Sequence, residues 1–75
     1  MPVAYLLINT ESFEPSLLKI LKGIKGVEEA YAVYGVYDIV VRTRAETMDS
    51  LKDTHNRIRR LGKIKQTLTM IAHEG

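Results

Sequence analysis

The pattern of apolar and polar positions divides the chain into four short stretches rich in strand-forming residues and two amphipathic stretches. Residues 3–8 are apolar on both alternating faces, which is typical of a strand covered on both sides, and residues 37–43 have the same character. Residues 27–34 and 64–72 mix polar with strand-forming side chains. The pattern therefore predicts four strands, of which two are buried on both faces.

The two remaining stretches carry apolar residues at three- and four-residue intervals, the spacing of a helix face. Pro15 suits the first turn of the first helix, and Gly23 and Gly26 suit its exit. Its apolar face consists of Leu17, Leu18, Leu21 and Ile24. Thr47 can cap the second helix, and Gly62 is expected to stop it. Its buried stripe consists of Met48, Leu51, His55, Ile58 and Leu61 or Gly62.

The predicted order is strand, helix, strand, strand, helix, strand. Right-handed crossovers in the two strand–helix–strand halves give a four-stranded antiparallel sheet of order 4-1-3-2. The central strands are then the two that are apolar on both faces, and Glu28 and Glu29 suit an edge position for the second strand. We predict an α+β, ferredoxin-like βαββαβ fold for a single domain, residues 1–75.

Two helices can cover only one face of such a sheet. The other face still carries apolar residues from the central strands, so something outside the chain must cover it. A second copy packed sheet against sheet is the simplest solution, and it predicts a homodimer with the form of a dimeric α+β barrel.

Composition removes several classes of function. The chain of 75 residues has no cysteine, which excludes cysteine-ligated zinc, thiol catalysis and a disulfide scaffold. Its net charge of +2 gives no strong attraction to nucleic acid. The start of the chain lacks a basic leader, and residues 3–8 are too few to span a membrane, so we expect a cytoplasmic protein without membrane contact.

Neither histidine predicts a metal or cofactor site. His55 and His73 have no ligand spacing between them, and no H-x-x-x-H sequence occurs. His55 lies on the apolar stripe of the second helix and is expected to be buried and bonded to the backbone. A basic cluster follows it: Arg57, Arg59, Arg60, Lys63 and Lys65. These groups complement a helix C-terminus, and contact with acidic groups of a partner or with nucleic acid is the weaker interpretation.

The most informative stretch lies between the second and third strands. Gly35 separates two strand-forming runs and predicts a tight hairpin, because glycine takes positive φ at little cost. Asp38 places a carboxylate at the mouth of a strand that is otherwise apolar. This rim is a candidate for half of a small-molecule site. The alternative is that Asp38 only accepts hydrogen bonds from turn amides.

Gly35-Val36-Tyr37-Asp38, followed by an apolar strand, resembles the G-x-x-D signature of the ligand-binding domain of Lrp/AsnC-type feast/famine regulators, the RAM domain. The stretch from Ile64 to Ile71 is similar to the I-x-x-T-x-T strand of that domain. The resemblance covers Val3 to Ala72. Full-length regulators carry a DNA-binding helix-turn-helix, whereas this chain begins at the first strand and resembles the stand-alone RAM proteins. We therefore expect no direct DNA binding.

The resemblance implies a non-catalytic module that senses small effectors. Such domains dimerise through their sheets and form rings, and a free amino acid binds between neighbouring dimers. A full-length Lrp/AsnC regulator is a further partner that the resemblance implies. The matching ligand-binding positions on this chain are Gly35, Val36, Tyr37, Asp38, Thr67 and Thr69.

These residue types suit a zwitterion. Backbone N–H groups at Gly35 and Val36 can donate to its carboxylate, because glycine allows close approach. Asp38 can accept from its ammonium group, and the hydroxyls of Thr67 and Thr69 can donate or accept. The alternative for the threonines is that they are ordinary strand residues.

Two other functions share this fold. A cofactor-free enzyme of the dimeric α+β-barrel type would need a titratable group in an enclosed cavity, whereas His55 is on a helix and Asp38 is on a rim. An ACT-like regulatory domain usually has a glycine in the loop after its first strand, and residues 9–12 contain none.

Overall fold

The computed structural model describes residues 1–73 and forms one four-stranded antiparallel sheet with two helices. The elements are β1 (Val3–Thr10), α1 (Pro15–Lys22), β2 (Val27–Ala32), β3 (Ile39–Arg44), α2 (Met48–Arg59) and β4 (Ile64–Ile71). The sheet order is β2-β3-β1-β4, so β1 and β3 are central and β2 is an edge. The predicted ferredoxin-like α+β fold and strand order are confirmed.

The core lies between the sheet and the helices. Every second residue of a strand faces the same side, and in the central strands those residues are the buried ones. The cluster comprises Leu6, Ile8, Leu17, Leu21, Ala30, Ile39, Val41 and Ile58. Both helices contribute through the apolar faces that their spacing predicts, which fixes them on the same side of the sheet.

The start of α2 follows the predicted capping chemistry. The Ser50 N–H donates to the Thr47 side chain at 3.1 Å, which satisfies one of the free amides of the first turn. Leu51, His55 and Ile58 are buried along the predicted stripe. The last helical residue is Arg59 and Arg60 is the C-cap, so the predicted stop at Gly62 is two residues too late.

A bulge in β2 corrects the predicted face assignment. The pairing with β3 shifts between Val27 and Glu29, and strict alternation is lost there. Strict alternation would place Glu28 and Glu29 on opposite faces, yet both reach Arg42, with N···O distances of 3.4 and 3.7 Å. Glu28 also pairs with Arg44 at 3.2 Å. The acidic pair thus joins the edge strand to β3 through its side chains.

A second irregularity lies where β1 meets β4. Asn9 pairs with Gln66 but Thr10 pairs with Ile64, so Lys65 is skipped. Ile64 therefore packs against the core, whereas strict alternation would place it on the same face as Leu68.

The sheet surface away from the helices is apolar and uncovered in the single chain. Cross-strand pairing places Tyr5 opposite Met70 and Leu7 opposite Leu68, and Val40 lies on the other side of Leu7. Tyr5, Leu68 and Met70 are 37%, 45% and 48% exposed. We call this surface, made of Tyr5, Leu7, Val40, Leu68 and Met70, the open face. Its apolar character is as predicted.

Gly26 is the glycine on which the packing of α2 depends, and Gly26→Ala should destabilise the fold by about 1–3 kcal/mol. Its φ is +99°, and an added Cβ would lie 2.5 Å from the Thr54 hydroxyl. Gly62→Ala is the matched control, because nothing lies within 4 Å of its added Cβ. Urea unfolding should separate the two variants, and equal midpoints would contradict this account of Gly26.

Candidate functional site

The connection between β2 and β3 is longer than the tight hairpin that the sequence predicts. The Val33 N–H donates to the Asp38 carbonyl at 2.9 Å, and the four residues Tyr34–Tyr37 project beyond this bond. Gly35 has φ +128°, a conformation that favours glycine. The requirement for glycine was therefore predicted correctly, whereas the length of the turn was not. We call residues 34–38 the corner.

The corner exposes both side chains and backbone N–H groups. Tyr34 is fully exposed and Val36 is 81% exposed. Within residues 1–73, no protein acceptor bonds to the backbone N–H of Gly35 or Val36. An added Cβ at Gly35 would meet nothing within 4 Å, so the backbone there is open to approach. The corner can therefore offer two neighbouring N–H donors to an anion.

Asp38 fastens the corner to the end of β1. Its Oδ2 accepts from the Thr10 N–H at 2.8 Å and from the Thr10 hydroxyl at 3.1 Å. Its own N–H donates to the Ile8 carbonyl at 2.9 Å. The carboxylate thus accepts from a neighbouring strand and not from amides of its own turn, which was the alternative prediction. Among the described residues no donor bonds to Oδ1, so one carboxylate oxygen remains available.

Thr67 and Thr69 face the helices. Thr67 lies opposite Ile8 of β1, and Thr69 lies opposite Leu6. Directly opposed residues point to the same side of the sheet, and Ile8 and Leu6 are buried on the helix side. Arg59 of α2 donates to both hydroxyl oxygens, at 3.3 Å from Nε to Thr67 and 2.8 Å from Nη2 to Thr69. The two threonines therefore do more than extend the strand, because their hydroxyl oxygens accept hydrogen bonds from the Arg59 guanidinium group.

The structure does not bring the two predicted halves of the site together within one chain. Asp38 bonds to one edge of β1, and the strand carrying Thr67 and Thr69 pairs with the other edge. Two interstrand spacings separate such strands by roughly 10 Å, beyond the reach of a single hydrogen bond. Each half is well formed, and a second subunit would be needed to complete a site from both.

His55 is buried as predicted, but its partner is a side chain. The Thr43 hydroxyl donates to the Ala4 carbonyl at 3.2 Å, which leaves its oxygen to accept from His55 Nε2 at 2.7 Å. Burial lowers the pKa of His55, and the nearby Arg59 guanidinium lowers it further. No cluster of three potential metal ligands occurs in residues 1–73.

A groove of about 320 Å³ lies between α2 and β4. Its lining comprises Met48, Leu51, Lys52, His55, Asn56, Arg59, Thr69 and Ile71. We call it the α2–β4 groove. A wider depression of about 500 Å³ near the start of α2 is lined by charges of both signs and shows no net preference for an ion.

Sequence reasoning missed Thr10 and Arg59. Thr10 was assigned to the loop after β1, although a short polar residue near a strand end is a good partner for a carboxylate. Arg59 was treated as one of several solvated basic residues. Its position four residues after His55 places both on one helix face, and this spacing was the available signal.

The comparisons with known proteins place this fold in a class of small regulatory domains that bind a ligand. The sequence model of the Lrp/AsnC ligand binding domain matches residues 4–74, and the chain belongs to this family. The resemblance to the RAM domain is thereby confirmed. No curated protein matches the chain in sequence.

Several solved structures share the fold. The crystal structure of FFRP-DM1 is 35% identical with a TM-score of 0.86, over 96% of this chain and 99% of that one. Hypothetical protein PHS023 from Pyrococcus horikoshii is 34% identical with a TM-score of 0.88, over 100% and 93% of the two chains. AsnC from E. coli is 27% identical with a TM-score of 0.87, over 99% of this chain. The chain spans about half of AsnC, 52% of its length.

Neither helix within residues 1–73 combines the length and apolar character needed to cross a membrane.

Acidification should destabilise the fold through His55. Above its unfolded pKa of 6.5 the residue is neutral in both states and contributes no pH dependence. As the pH falls below 6.5, His55 becomes protonated in the unfolded chain but stays neutral in the folded chain, where its pKa is lower. Protonation therefore favours unfolding, and stability is lost until the pH reaches the folded pKa. Urea unfolding at about pH 7.5 and about pH 5.5 should show this loss.

The pH effect can be assigned with two glutamine variants. His55→Gln should lose the part of the pH dependence that falls below pH 6.5. The exposed His73 gives the matched variant, His73→Gln, which should keep it. An unchanged pH dependence in His55→Gln would contradict the assignment.

Proposed function

We propose that this chain is a non-catalytic module that binds a free amino acid between subunits and oligomerises through its sheet. Family membership supports ligand sensing in a regulatory context. The ligand, its position and the assembly are proposed from the geometry of the corner and of the open face.

The observation that carries the proposal is the pairing of free donors with a free acceptor at the corner. The N–H groups of Gly35 and Val36 have no protein acceptor, and Oδ1 of Asp38 has no protein donor, within residues 1–73. A free amino acid carries a carboxylate and an ammonium group on the same carbon atom, and each needs a counterpart once desolvated. The corner supplies both kinds of counterpart three residues apart.

A structural neighbour that contains this fold has been solved with an amino acid. A feast or famine regulatory protein from M. tuberculosis was solved in complex with L-methionine. It is 23% identical with a TM-score of 0.83, over 100% of this chain and 52% of that one. At this identity the likeness establishes the fold alone, so the contacts of the ligand are proposed from this chain's own residues.

Thr67 and Thr69 would complete the site from a neighbouring subunit. Each hydroxyl oxygen accepts from Arg59, and each hydroxyl retains a proton that it can donate. Tyr37, half-buried beside Asp38, would contribute to the wall of the pocket. A site divided in this way would be formed only in the assembly, which would couple ligand binding to the oligomeric state.

The open face is the proposed dimer surface. Its apolar side chains adjoin a charged strip on β2 and β3, formed by Glu28, Glu29, Arg42 and Arg44. Apolar burial would supply the stability of the dimer, and the charged strip would favour one orientation of the two sheets. A full-length regulator with the same ligand-binding fold is a further candidate partner.

The non-catalytic character is proposed from where the titratable groups lie. His55 is 3% exposed and its Nε2 is bonded to Thr43, so that nitrogen cannot accept a proton from a substrate. Asp38 lies at an open rim and bonds to Thr10. Neither group faces an enclosed cavity, which favours binding over proton transfer.

Isothermal titration against the standard amino acids should find at least one ligand with micromolar to millimolar affinity. Asp38→Asn keeps a carbonyl oxygen for the Thr10 amide but removes the charge that would meet the ammonium group. It should weaken binding by about 1.5–3 kcal/mol, the range for a hydrogen bond to a charged group.

Thr10→Val is the control for damage to the corner. It removes the hydroxyl bond to Asp38 but leaves the carboxylate, so ligand affinity should stay close to that of the wild type. Binding by no amino acid, or equal affinity in Asp38→Asn and the wild type, would refute the proposed site.

Leu68→Glu should break the proposed dimer, because it places a charge in the middle of the open face. Ile20→Glu is the matched control, since Ile20 is similarly exposed, at 51% against 45%, but lies on α1. Light scattering coupled to size exclusion should show a smaller species for Leu68→Glu alone. A wild-type monomer at micromolar concentration would refute the assembly.

A further inference from the structure

The helix side of the molecule carries most of the positive charge of the chain. The two helices, each taken with the residues that lead to the next strand, are residues 15–26 and 48–63. They contain eight of the 11 basic residues but only two of the nine acidic ones. These segments therefore have a net charge of +6, whereas the rest of the chain has −4. The small net charge of +2 results from this segregation and describes neither surface.

The basic side chains of the two helices come together at the end of α1. The Thr54 hydroxyl of α2 donates to the Lys25 carbonyl at 3.2 Å, which fixes this turn against the second helix. Lys25 and Arg57 line the same depression, and Arg60 follows Arg57 by three residues, a spacing that makes them neighbours on the helix surface. With two exposed lysines of α1 they form a surface that we call the basic face: Lys19, Lys22, Lys25, Arg57 and Arg60.

No carboxylate of residues 1–73 lies within ion-pairing distance of the basic face. The helical segments contain two carboxylates, Asp49 and Asp53. Asp53 lines the depression together with Lys25 and Arg57 but forms an ion pair with neither. The surface therefore keeps an excess of positive charge that an external anion can neutralise.

The basic face lacks the apolar centre of a protein–protein interface. Such interfaces have an apolar core, whereas interfaces with DNA are more polar and much more positive. The exposed large apolar side chains of the helices are Ile20 and Met48, and Met48 lines the α2–β4 groove instead. Residues 15–26 and 48–63 contain no Phe, Tyr or Trp on which an unpaired base could stack. A duplex therefore fits this surface better than a folded protein or a single strand.

We infer that the basic face binds the phosphate backbone of duplex DNA without reading its sequence. Phosphate contacts need only positioned cations, whereas sequence is read by contacts to base edges. The inference therefore departs from the expected absence of direct DNA binding, which concerned a helix-turn-helix. Recognition of duplex RNA also uses its 2′-hydroxyl groups, for which lysine and arginine side chains offer no acceptor.

This surface is separate from the proposed amino-acid site and from the proposed dimer contact. The helices lie on the side of the sheet opposite the open face. A dimer formed through the open face would therefore leave one basic face accessible on each subunit.

The test is fluorescence anisotropy of the full chain with a labelled DNA duplex of about 20 base pairs, two turns of the double helix. The Kd should be about 10⁻⁴–10⁻⁶ M at physiological salt, the range of non-specific binding. The slope of log K against log salt should be about −2.7 to −4.5, which corresponds to about three to five phosphate contacts. Two duplexes of unrelated sequence should bind equally. Absence of binding at about 50 mM salt, or a clear preference for one duplex, would overturn the inference.

Arg57→Gln and Arg60→Gln should each weaken binding to both duplexes and reduce the steepness of the salt slope by about 0.9, the value for one phosphate contact. Lys65→Gln is the matched control, because it removes one positive charge from an exposed position on β4, outside the basic face. It should change neither the affinity nor the slope. Equal losses in all three variants, or no loss in any of them, would contradict a defined DNA surface.

Asp53→Asn tests the same surface through a gain of affinity, which a damaged fold would not produce. Loss of this carboxylate beside Lys25 and Arg57 should tighten DNA binding about 2- to 5-fold. Glu11→Gln, which removes a negative charge from the loop after β1, should leave the Kd unchanged. Equal affinities in Asp53→Asn and Glu11→Gln would count against the basic face. Displacement of the duplex by poly-glutamate at equal charge concentration would assign the surface to acidic proteins and overturn the inference.

Discussion

Two helices cover one face of a sheet whose central strands are apolar on both. On the helix side, alternate residues such as Leu6 and Val41 are fully buried. On the other side, Tyr5, Leu68 and Met70 keep between a third and a half of their surface in water. Each buried Å² of apolar surface is worth roughly 25 cal/mol, so a chain of this size gains substantially from covering that side. The proposed assembly and the divided ligand site both depend on this imbalance.

Polar contacts hold the ends of the same sheet. Asp38 bonds to Thr10 where β1 ends beside the corner, and Thr43 bonds to His55 and Ala4 near the other end. Both contacts join residues distant in sequence, and both place the polar group where strand pairing alone would leave it without a partner. The corner therefore projects from a base that these hydrogen bonds hold, and the N–H groups of Gly35 and Val36 bond to no acceptor in residues 1–73.

The fold was predictable because its signals are periodic and repeated. The strand order follows from which runs are apolar on both faces, and capping by Thr47 is a local signal. The side-chain orientations differ from simple alternation where one extra residue interrupts the two-residue period of a strand. The bulge at Glu28 brings two carboxylates to Arg42, and the skipped Lys65 moves Ile64 to the core side. Alternation extended through such a point inverts every later assignment, and only the paired strand reveals the shift.

The site was predicted only in part for a related reason. Gly35 and Asp38 are only three residues apart in sequence, so a short motif can include both. Arg59 acts on Thr67 and Thr69 across a helix–strand contact that no short motif encodes. From the sequence alone, a single threonine in a strand can be interpreted only as a strand residue that carries a hydroxyl group. Two threonines on one face, below an arginine that has no carboxylate partner in residues 1–73, instead orient a positive charge.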